Sequence, residues 1–253
     1  MDARGQAAIV TGAASGLGRA SAAALAEAGA RVALFDVNEA ENAAAAEEIG
    51  GLAVACDVTD GPSAERAVAV AREAHGPARI LINCAGVGPA KRIVGRDGPL
   101  DLDWFSRVIA VNLIGSFNLL RLAAADMIGL DPLAGDERGV IVNTASVAAT
   151  EGQIGQAAYS ASKGGVAAMT LPAAREFARF GVRVNTISPG LFATPMLFAL
   201  PEEAQKSLGA SVPYPSRLGR PEEYAALALH IVSNQMINGE VVRLDGALRM
   251  APK

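Results

Sequence analysis

Short runs of β-branched and aliphatic residues alternate along this chain with Ala-rich stretches of helical length. Seven runs have the composition of strands: residues 7–11, 32–35, 52–56, 80–83, 140–144, 182–187 and 240–244. Six segments between them are long enough for helices: residues 16–28, 39–49, 63–75, 103–127, 157–180 and 221–233. Such alternation predicts a parallel sheet with right-handed crossovers and helices on both faces. We therefore predict an α/β fold with a seven-stranded, doubly wound sheet.

The length of the chain allows this fold to be one domain. At 253 residues the chain is long for a domain, but α/β folds commonly reach this size as single units. Hydrophobic residues make up 51% of the sequence and charged residues 19%, which suits a sheet buried on both faces. We see no linker or internal repeat in the sequence. We predict a single Rossmann-type domain over residues 1–253.

Three segments interrupt the alternation and are rich in Gly, Pro or charge: residues 91–101, 130–138 and 191–214. We interpret them as insertions. The ligand of an open α/β sheet lies beyond the carboxyl ends of its strands, and residues 191–214 directly follow the strand predicted at 182–187. This placement predicts a substrate lid at about 191–214.

Charge and apolar patterning argue against several classes of partner. The net charge is −4 and no cluster of Lys and Arg stands out, so we expect no nucleic acid as a partner. Polar residues interrupt every apolar stretch before the ~20 residues that span a bilayer, so we expect no membrane insertion. The first predicted strand begins within a few residues of Met1, and we expect no signal peptide.

The two cysteines, Cys56 and Cys84, lack the spacing of a metal site and are not expected to form a disulfide. We therefore predict no bound metal. Reduced thiols and the absence of a targeting segment predict a cytoplasmic protein.

A glycine-rich turn stands between the first strand and the first helix. Gly12 permits a tight turn, Gly16 allows the backbone to approach a pyrophosphate, and Gly18 allows close packing of the helix. The helix N-terminus adds free N–H groups and a positive dipole. The turn predicts phosphate binding by a dinucleotide, although three glycines alone also fit a purely structural turn.

Asp36 ends the second predicted strand, eighteen residues after Gly18, where a carboxylate can accept hydrogen bonds from both adenosine ribose hydroxyls. A 2′-phosphate would be repelled there, so Asp36 predicts NAD. Arg19, beside the glycine turn, leaves NADP open, and Asp36 can alternatively cap the next helix. Asp57 ends the third strand and is a candidate for the adenine amino group, or else a solvated turn residue.

The fourth strand leads into Asn83, Cys84, Ala85 and Gly86, whose small size predicts close passage of the chain beside the ribose and nicotinamide. Cys84 has no neighbouring general base in the sequence, so a packing role is favoured over a nucleophilic one.

Tyr159 and Lys163 lie four residues apart in a predicted helix, and Ser146 ends the fifth strand. Spacing of four places both side chains on one helical face. An adjacent ammonium, together with the positive charge of an oxidised nicotinamide, would stabilise a phenolate at Tyr159, and Ser146 would hold the substrate oxygen. The pair alone also fits an ordinary surface contact. Asn112 lies among apolar residues of the helix predicted at 103–127, so its side chain needs a polar partner if it is buried.

These motifs, taken in order, resemble the short-chain dehydrogenase/reductase family over essentially the whole chain: TGxxxGxG, NNAG, Ser, YxxxK and PG. The resemblance implies a catalytic tetrad of Asn112, Ser146, Tyr159 and Lys163, in which Asn112 carries a backbone kink and a proton-relay water. Cys84, where the family has a second Asn, is the departure. The family is usually tetrameric, which implies a homotetramer.

Residues 143–149, 151–159, 188–194, 215–219 and 243–250, with the insertions at 91–101 and 130–138, resemble the subfamily of type II 3-hydroxyacyl-CoA dehydrogenases, also described as 17β-hydroxysteroid and 2-methyl-3-hydroxybutyryl-CoA dehydrogenases. By this resemblance Gln156 helps Ser146 and Tyr159 to hold the substrate. It implies NAD contacts from the glycine turn to the lid: Ser15, Leu17, Asp36, Asp57, Val58, Cys84, Tyr159, Lys163, Pro189, Gly190, Phe192 and Thr194.

The resemblance implies NAD-dependent interconversion of a 3-hydroxyacyl-CoA and a 3-oxoacyl-CoA, with an acyl-CoA thioester as the small-molecule partner. The apolar lid residues Leu191, Phe192, Met196, Leu197 and Phe198 also fit a steroid or secondary-alcohol dehydrogenase. An acyl-carrier-protein reductase is disfavoured by Asp36. A non-catalytic dinucleotide-binding scaffold is disfavoured by the intact Ser, Tyr and Lys.

Overall fold

The computed structural model describes residues 1–252 and contains the predicted seven-stranded parallel sheet, which confirms the α/β doubly wound fold. The strand order is β3-β2-β1-β4-β7-β8-β9. The strands are β1 (Ala7–Thr11), β2 (Arg31–Asp36), β3 (Leu52–Ala55), β4 (Ile80–Asn83), β7 (Gly139–Thr144), β8 (Val182–Pro189) and β9 (Val241–Leu244).

Helices cover both faces of the sheet. They are α1 (Gly16–Glu27), α2 (Glu39–Ile49), α3 (Gly61–His75), α4 (Leu102–Ile109), α5 (Gly115–Ile128), α6 (Ala157–Ala178), α7 (Pro195–Phe198), α8 (Glu202–Ala210) and α9 (Pro221–Ser233). Buried side chains of α1, α2 and α9 form one core with the sheet, and those of α3, α5 and α6 form the other. Small Ala side chains dominate these helix faces, so the helices lie close to the strands.

Local sequence signals fix several helix starts. Asp60 accepts a hydrogen bond from the main-chain N–H of Ser63 at 2.9 Å, and Pro62 lies in the first turn of α3. Asn38 accepts one from the N–H of Glu41 at 3.3 Å and so caps α2. Both caps set the direction in which a helix leaves the carboxyl edge of the sheet.

The strand order reverses at β1, which pairs with β2 on one side and with β4 on the other. Thr11 and Asn83 are register partners at the carboxyl ends of β1 and β4. The glycine turn and the segment 83–86 therefore leave the sheet side by side. Crevices at such a reversal are where doubly wound sheets bind ligands.

Each predicted insertion contains short regular elements. Residues 91–101 include an antiparallel ribbon of β5 (Val94–Gly95) and β6 (Gly98–Pro99), and residues 130–138 include a 3₁₀ turn, Ala134–Asp136. The lid segment 191–214 holds α7 and α8, and Phe192 forms an isolated bridge with Gly219. The segment predicted to form the lid is therefore folded, contains two helices and is anchored at its start.

The segment Leu102–Ile128 corrects the expectation that no stretch is long and apolar enough to cross a bilayer. It has 27 residues and a mean hydropathy of 1.7 over its most apolar window. Half of that window is buried inside the protein, and α5 packs on β4 and β7. A buried core helix of a globular protein has a similarly high hydropathy. The length and hydropathy of this segment are therefore only weak evidence for a membrane span.

Candidate active site

A cavity of about 940 Å³ opens at the carboxyl ends of the strands. It is lined by every residue predicted to bind cofactor or substrate except Asn83 and the lid residue Phe198. Asn112, the fourth predicted catalytic residue, is fully buried and does not line the cavity. The fold thus brings residues from the glycine turn, the helix α6 and the lid to one cleft.

The glycine turn leaves no room for side chains. Gly12 has φ +64°, and a Cβ atom on it would lie 2.8 Å from Ala85 Cα. A Cβ on Gly18 would lie 2.1 Å from the carbonyl oxygen of Gly12. Ser15 precedes α1 without a side-chain cap, so the first N–H groups of α1 remain free to bind a phosphate.

Thr11 joins the two turns, a role that the sequence did not indicate. Its Oγ1 accepts hydrogen bonds from the main-chain N–H groups of Cys84 and Ala85, each at 3.1 Å. The Asn83 side chain points into the core and donates to the carbonyl oxygen of Ser116 at 3.2 Å and to Asn143 Oδ1 at 2.9 Å. Asn83 supports the turn from below.

Asp36 is held by the backbone around it. Its two carboxylate oxygens accept hydrogen bonds from the N–H groups of Ala14 and Asn38, both at 3.0 Å. The N-cap of α2 is Asn38, so Asp36 is not the cap that the alternative interpretation required. Arg19 forms an ion pair with Glu48 on α2.

Asp57 also lines the cavity, and its side chain takes part in a local turn. Its Oδ1 accepts hydrogen bonds from the N–H group of Thr59 at 2.9 Å and from the Thr59 hydroxyl at 2.7 Å. Both interpretations of Asp57, adenine contact and turn residue, fit this position.

Ser146, Tyr159 and Lys163 all line the cavity. Ser146 follows β7 and accepts a hydrogen bond from the N–H of Ala148 at 3.1 Å. Lys163 is buried, and its Nζ donates to the carbonyl oxygen of Thr144 at 2.7 Å while lying 6.0 Å from the centroid of the Tyr159 ring. The ammonium thus sits between the helix and the end of the strand.

Burial sets the ionisation of this pair. It raises the pKa of the Tyr159 phenol, and a hydrogen bond with Ser146 opposes that effect. Burial lowers the pKa of Lys163 to about 8, and the nearby Cys84 thiol opposes the fall. The protein by itself therefore favours a neutral phenol beside a cation. The Lys163 ammonium by itself therefore does not bring the pKa of Tyr159 below its ordinary value. The second positive charge expected from the sequence is that of an oxidised nicotinamide.

Cys84 contacts hydroxyl groups rather than a base. Its Sγ lies 3.6 Å from Thr144 Oγ1 and 3.7 Å from the Tyr224 hydroxyl, and those two hydroxyls are 2.7 Å apart. Burial raises the pKa of the Cys84 thiol. This environment agrees with a packing role. In residues 1–252 we find no cluster of His, Cys, Asp or Glu suited to hold a metal.

Asn112 lies in a π-helical segment, Ala110–Ile114, which interrupts the helix predicted at 103–127. Its amide forms hydrogen bonds with both main-chain groups of Val87, at 2.8 and 2.9 Å, and with Ser162 Oγ at 3.0 Å. These bonds satisfy the partner requirement that the sequence raised. They join the kinked helix to the segment after Gly86 and to α6.

The lid side of the cavity is apolar. Leu191, Phe192, Met196 and Leu197 line it as their position after β8 suggested, but Phe198 does not and is 53% exposed. Residues that sequence reasoning missed complete the wall: Arg107, Gln153, Leu200, Leu208 and Met250. They reach the cavity from four separate parts of the chain, so spacing in the sequence does not bring them together.

The family model for short chain dehydrogenases matches residues 6–205. Among curated proteins, the chain is 49% identical over 253 residues to the 3-hydroxyacyl-CoA dehydrogenase type-2 of Bos taurus, covering 98% of this chain and 97% of that protein. The human protein of the same name is 48% identical with the same coverage.

Solved structures agree with this family. The crystal structure of 3-hydroxyacyl-CoA dehydrogenase type-2 from Mycobacterium avium has 42% sequence identity and a TM-score of 0.92, with 98% of both chains covered. A 3-ketoacyl-(acyl-carrier-protein) reductase from Brucella melitensis, complexed with NADH, has 30% identity and a TM-score of 0.88, covering 98% of this chain and all of that one.

Proposed function

Because the chain belongs to the short-chain dehydrogenase family and is an oxidoreductase that uses a nicotinamide dinucleotide, we propose that it interconverts a 3-hydroxyacyl-CoA and the corresponding 3-oxoacyl-CoA with NAD. The observation that carries the proposal is the convergence of Ser146, Tyr159 and Lys163 beside an apolar lid in one 940 Å³ cavity. Nearly full-length similarity to proteins named for this substrate class supports it.

The residues of the cleft fit a dinucleotide. Gly12 and Gly18 hold a turn that a Cβ would fill, and the free N–H groups of α1 suit the pyrophosphate. Lys163 would reach the nicotinamide ribose, and Pro189, Gly190 and Thr194 would lie beside the nicotinamide. When bound, this cofactor supplies the acceptor or donor of the hydride.

The protein's own task is to place the substrate and move a proton. Ser146 Oγ holds the substrate oxygen by a hydrogen bond, and Tyr159 Oη takes the hydroxyl proton in oxidation and returns it in reduction. Together with the positive charge of an oxidised nicotinamide, the cationic Lys163 would favour the phenolate that takes this proton in oxidation. Gln156, at the cavity wall, would add a second hydrogen bond to the substrate.

The preference for NAD over NADP rests on charge around the adenosine ribose. Asp36 lines the cavity and would repel a 2′-phosphate. Arg19, the base that left NADP open, is engaged with Glu48. A 2′-phosphate would therefore meet a carboxylate at this site and no free guanidinium, which disfavours NADP.

An acyl-CoA fits two features of the cavity, an apolar wall for the acyl chain and a cation for the phosphate groups. The lid provides an apolar wall, and the exposed Arg107 lines the cavity without an ion pair that we find within residues 1–252. A cation at such a position is suited to phosphate groups of CoA. A steroid would use the apolar wall but gains nothing from Arg107.

Initial rates test the substrate class. We expect NADH-dependent reduction of acetoacetyl-CoA with kcat/KM at least tenfold above that for a steroid ketone or a simple ketone. NADPH should give slower reduction of the same thioester. Absence of turnover with acetoacetyl-CoA, with good activity on another ketone, would overturn the acyl-CoA assignment and leave the oxidoreductase assignment standing.

A homotetramer is part of the proposal. One exposed large apolar side chain on each of the helices α5 and α6, Phe117 and Leu171, supports it, because association would remove them from water. Light scattering during size-exclusion chromatography tests this: a mass of four chains supports it, and a mass of one or two chains contradicts it.

A cytoplasmic location is also proposed. It is supported by the two free thiols, Cys56 and Cys84, which suit a reducing compartment. Cell fractionation with an antibody against the untagged protein tests it. Recovery with membranes or in an oxidising compartment would contradict it.

A further inference from the structure

The C-terminal segment 248–252 lies along the loop 151–156, which connects the Ser146 segment to the Tyr159 helix. The N–H of Met250 donates to Glu151 Oε2 at 3.1 Å, and Gln153 Nε2 donates to the carbonyl oxygen of Ala251 at 3.0 Å. The N–H of Ile154 donates to the carbonyl oxygen of Pro252 at 3.0 Å. Three hydrogen bonds therefore attach the end of the chain to the loop.

Glu151 is at the centre of this attachment. Its Oε1 accepts a hydrogen bond from Arg243 Nη1 at 2.9 Å and lies 3.5 Å from Arg249 Nε. Arg243 also pairs with Asp245 and donates to the carbonyl oxygen of Leu248 at 3.1 Å. Two guanidinium groups and two carboxylates thus balance in charge and connect β9, the loop and the C-terminal segment.

The Glu151 side chain at this attachment is ionised. Burial on its own would raise the pKa of Glu151, but hydrogen bonds from Arg243 and from the N–H of Met250, with the charges of Arg243 and Arg249, lower it below its ordinary value. Glu151 therefore remains a carboxylate at neutral pH. Its charge pairs with Arg243 in β9 and with Arg249 in the C-terminal segment.

The loop held in this way carries two cavity residues, Gln153 and Gln156. The N–H of Gln153 donates to Gln156 Oε1 at 2.9 Å. On the other edge of the loop, the N–H of Lys91 donates to the carbonyl oxygen of Gly155 at 2.8 Å. Displacing the C-terminal segment would remove the hydrogen bonds on one edge of the loop, and the Gln156 side chain would then be held less firmly in place.

The C-terminal segment also contributes directly to the cavity. The Met250 side chain lines it together with the lid residues Met196, Leu197 and Leu200. We propose that segment 248–252 is a fixed wall of the substrate cavity, in which Met250 determines the accepted chain length and Glu151 is a positioning residue that holds the wall. The chain-length part rests on the proposed acyl-CoA function.

Chain-length profiles of full-length variants test Met250. We expect Met250→Ala to raise kcat/KM for a ten-carbon 3-oxoacyl-CoA relative to acetoacetyl-CoA by about tenfold, since one side chain of this size in an apolar pocket changes selectivity on that order. Met250→Leu should keep the wild-type profile. Met236→Ala is the matched control, because Met236 is 92% exposed.

Glu151→Gln keeps the shape of the side chain but loses its charge. We expect an increase in KM for the thioester of about fivefold, with kcat and the KM for NADH close to wild type. Glu73→Gln is the control, because it removes an exposed carboxylate on α3 that is remote from the cavity. Equal KM values for Glu151→Gln and wild type would overturn the positioning role.

Hydrogen exchange provides a readout that needs no substrate. A chain ending at Leu248 should exchange the Ile154 amide at least tenfold faster than wild type, because the Pro252 acceptor is lost. Unchanged exchange would overturn the attachment. An active wild type with an unchanged Met250→Ala profile would overturn the chain-length role alone, whereas a wild type inactive on every 3-oxoacyl-CoA would overturn the proposed function and the chain-length role together.

Discussion

Lys163 and Thr144 are joined by a hydrogen bond of 2.7 Å from the ammonium of the helix residue to the main-chain carbonyl oxygen at the end of β7. Two residues after Thr144 the chain reaches Ser146, and four residues before Lys163 lies Tyr159. This bond therefore fixes the helix that carries the acid–base residue against the strand that carries the substrate-holding hydroxyl.

Lys163→Met should change how stability depends on pH. The pKa of Lys163 is lowered to about 8 in the folded protein, whereas it is ~10.4 in an unfolded chain. Between these values the unfolded chain binds more protons, so wild-type stability should rise with pH relative to the variant, by up to about 3 kcal/mol.

Urea unfolding of both proteins from pH 7 to pH 10 measures this difference. Lys206→Met is the control, because Lys206 is exposed on the lid helix α8. A constant difference between wild type and Lys163→Met across the range would contradict the lowered pKa of the buried Lys163.

Asp36→Asn should weaken discrimination between the two dinucleotides. The amide keeps one oxygen as an acceptor for the neighbouring N–H groups but loses the charge that repels a 2′-phosphate. We expect kcat/KM for NAD to fall about tenfold and the NADP to NAD ratio to rise by one to two orders of magnitude. Glu39→Gln, an exposed carboxylate three residues away, should leave the ratio unchanged.

Gly18→Ala should destabilise the protein and weaken dinucleotide binding together. Its Cβ would lie 2.1 Å from the carbonyl oxygen of Gly12, so α1 must move away from the turn. A loss of about 1–3 kcal/mol in the free energy of unfolding is expected for such overpacking. Gly61→Ala, where the nearest atom is 3.9 Å away, is the control in thermal unfolding and NADH fluorescence titration. Full stability and binding in Gly18→Ala would rule out the close-packed turn.

The sheet and the main chemistry could be predicted because local patterns encode them. Strand runs separated by helical segments determine a parallel sheet, and the glycine turn, Asp36, Ser146, Tyr159 and Lys163 carry motifs with fixed spacing. The carboxyl ends of parallel strands meet at one edge, so these residues had to come close once the strand order was set.

The sequence does not show which way the Asn83 side chain points, because neighbouring residues at a strand end point to opposite faces of the sheet. The Asn83 side chain faces Ser116 on α5, whereas Cys84 faces Tyr224 on α9. The sequence motif contains both residues, and it is the pleat of the strand that directs their side chains to opposite faces.

The remaining residues depend on contacts between distant parts of the chain. Thr11 holds the turn at Cys84, and Met250 reaches the cavity through its attachment to Glu151. The π-helical segment at Asn112 is joined by hydrogen bonds to Val87 and Ser162, which helical periodicity does not reveal. The apolar run Leu102–Ile128 was underestimated because polar interruptions do not prevent a high mean hydropathy.

Replacement of Tyr159 by Phe tests the account most directly. With acetoacetyl-CoA and NADH, the variant should lose about 10²–10⁴-fold in kcat, because it lacks the hydroxyl that moves the proton. Its Kd for NADH should stay within about twofold of wild type, since the ring remains in place. Tyr214→Phe, at a residue that is 83% exposed, should retain full activity. Turnover of the thioester by Tyr159→Phe at the wild-type rate would contradict the assignment of Tyr159 as the acid–base residue.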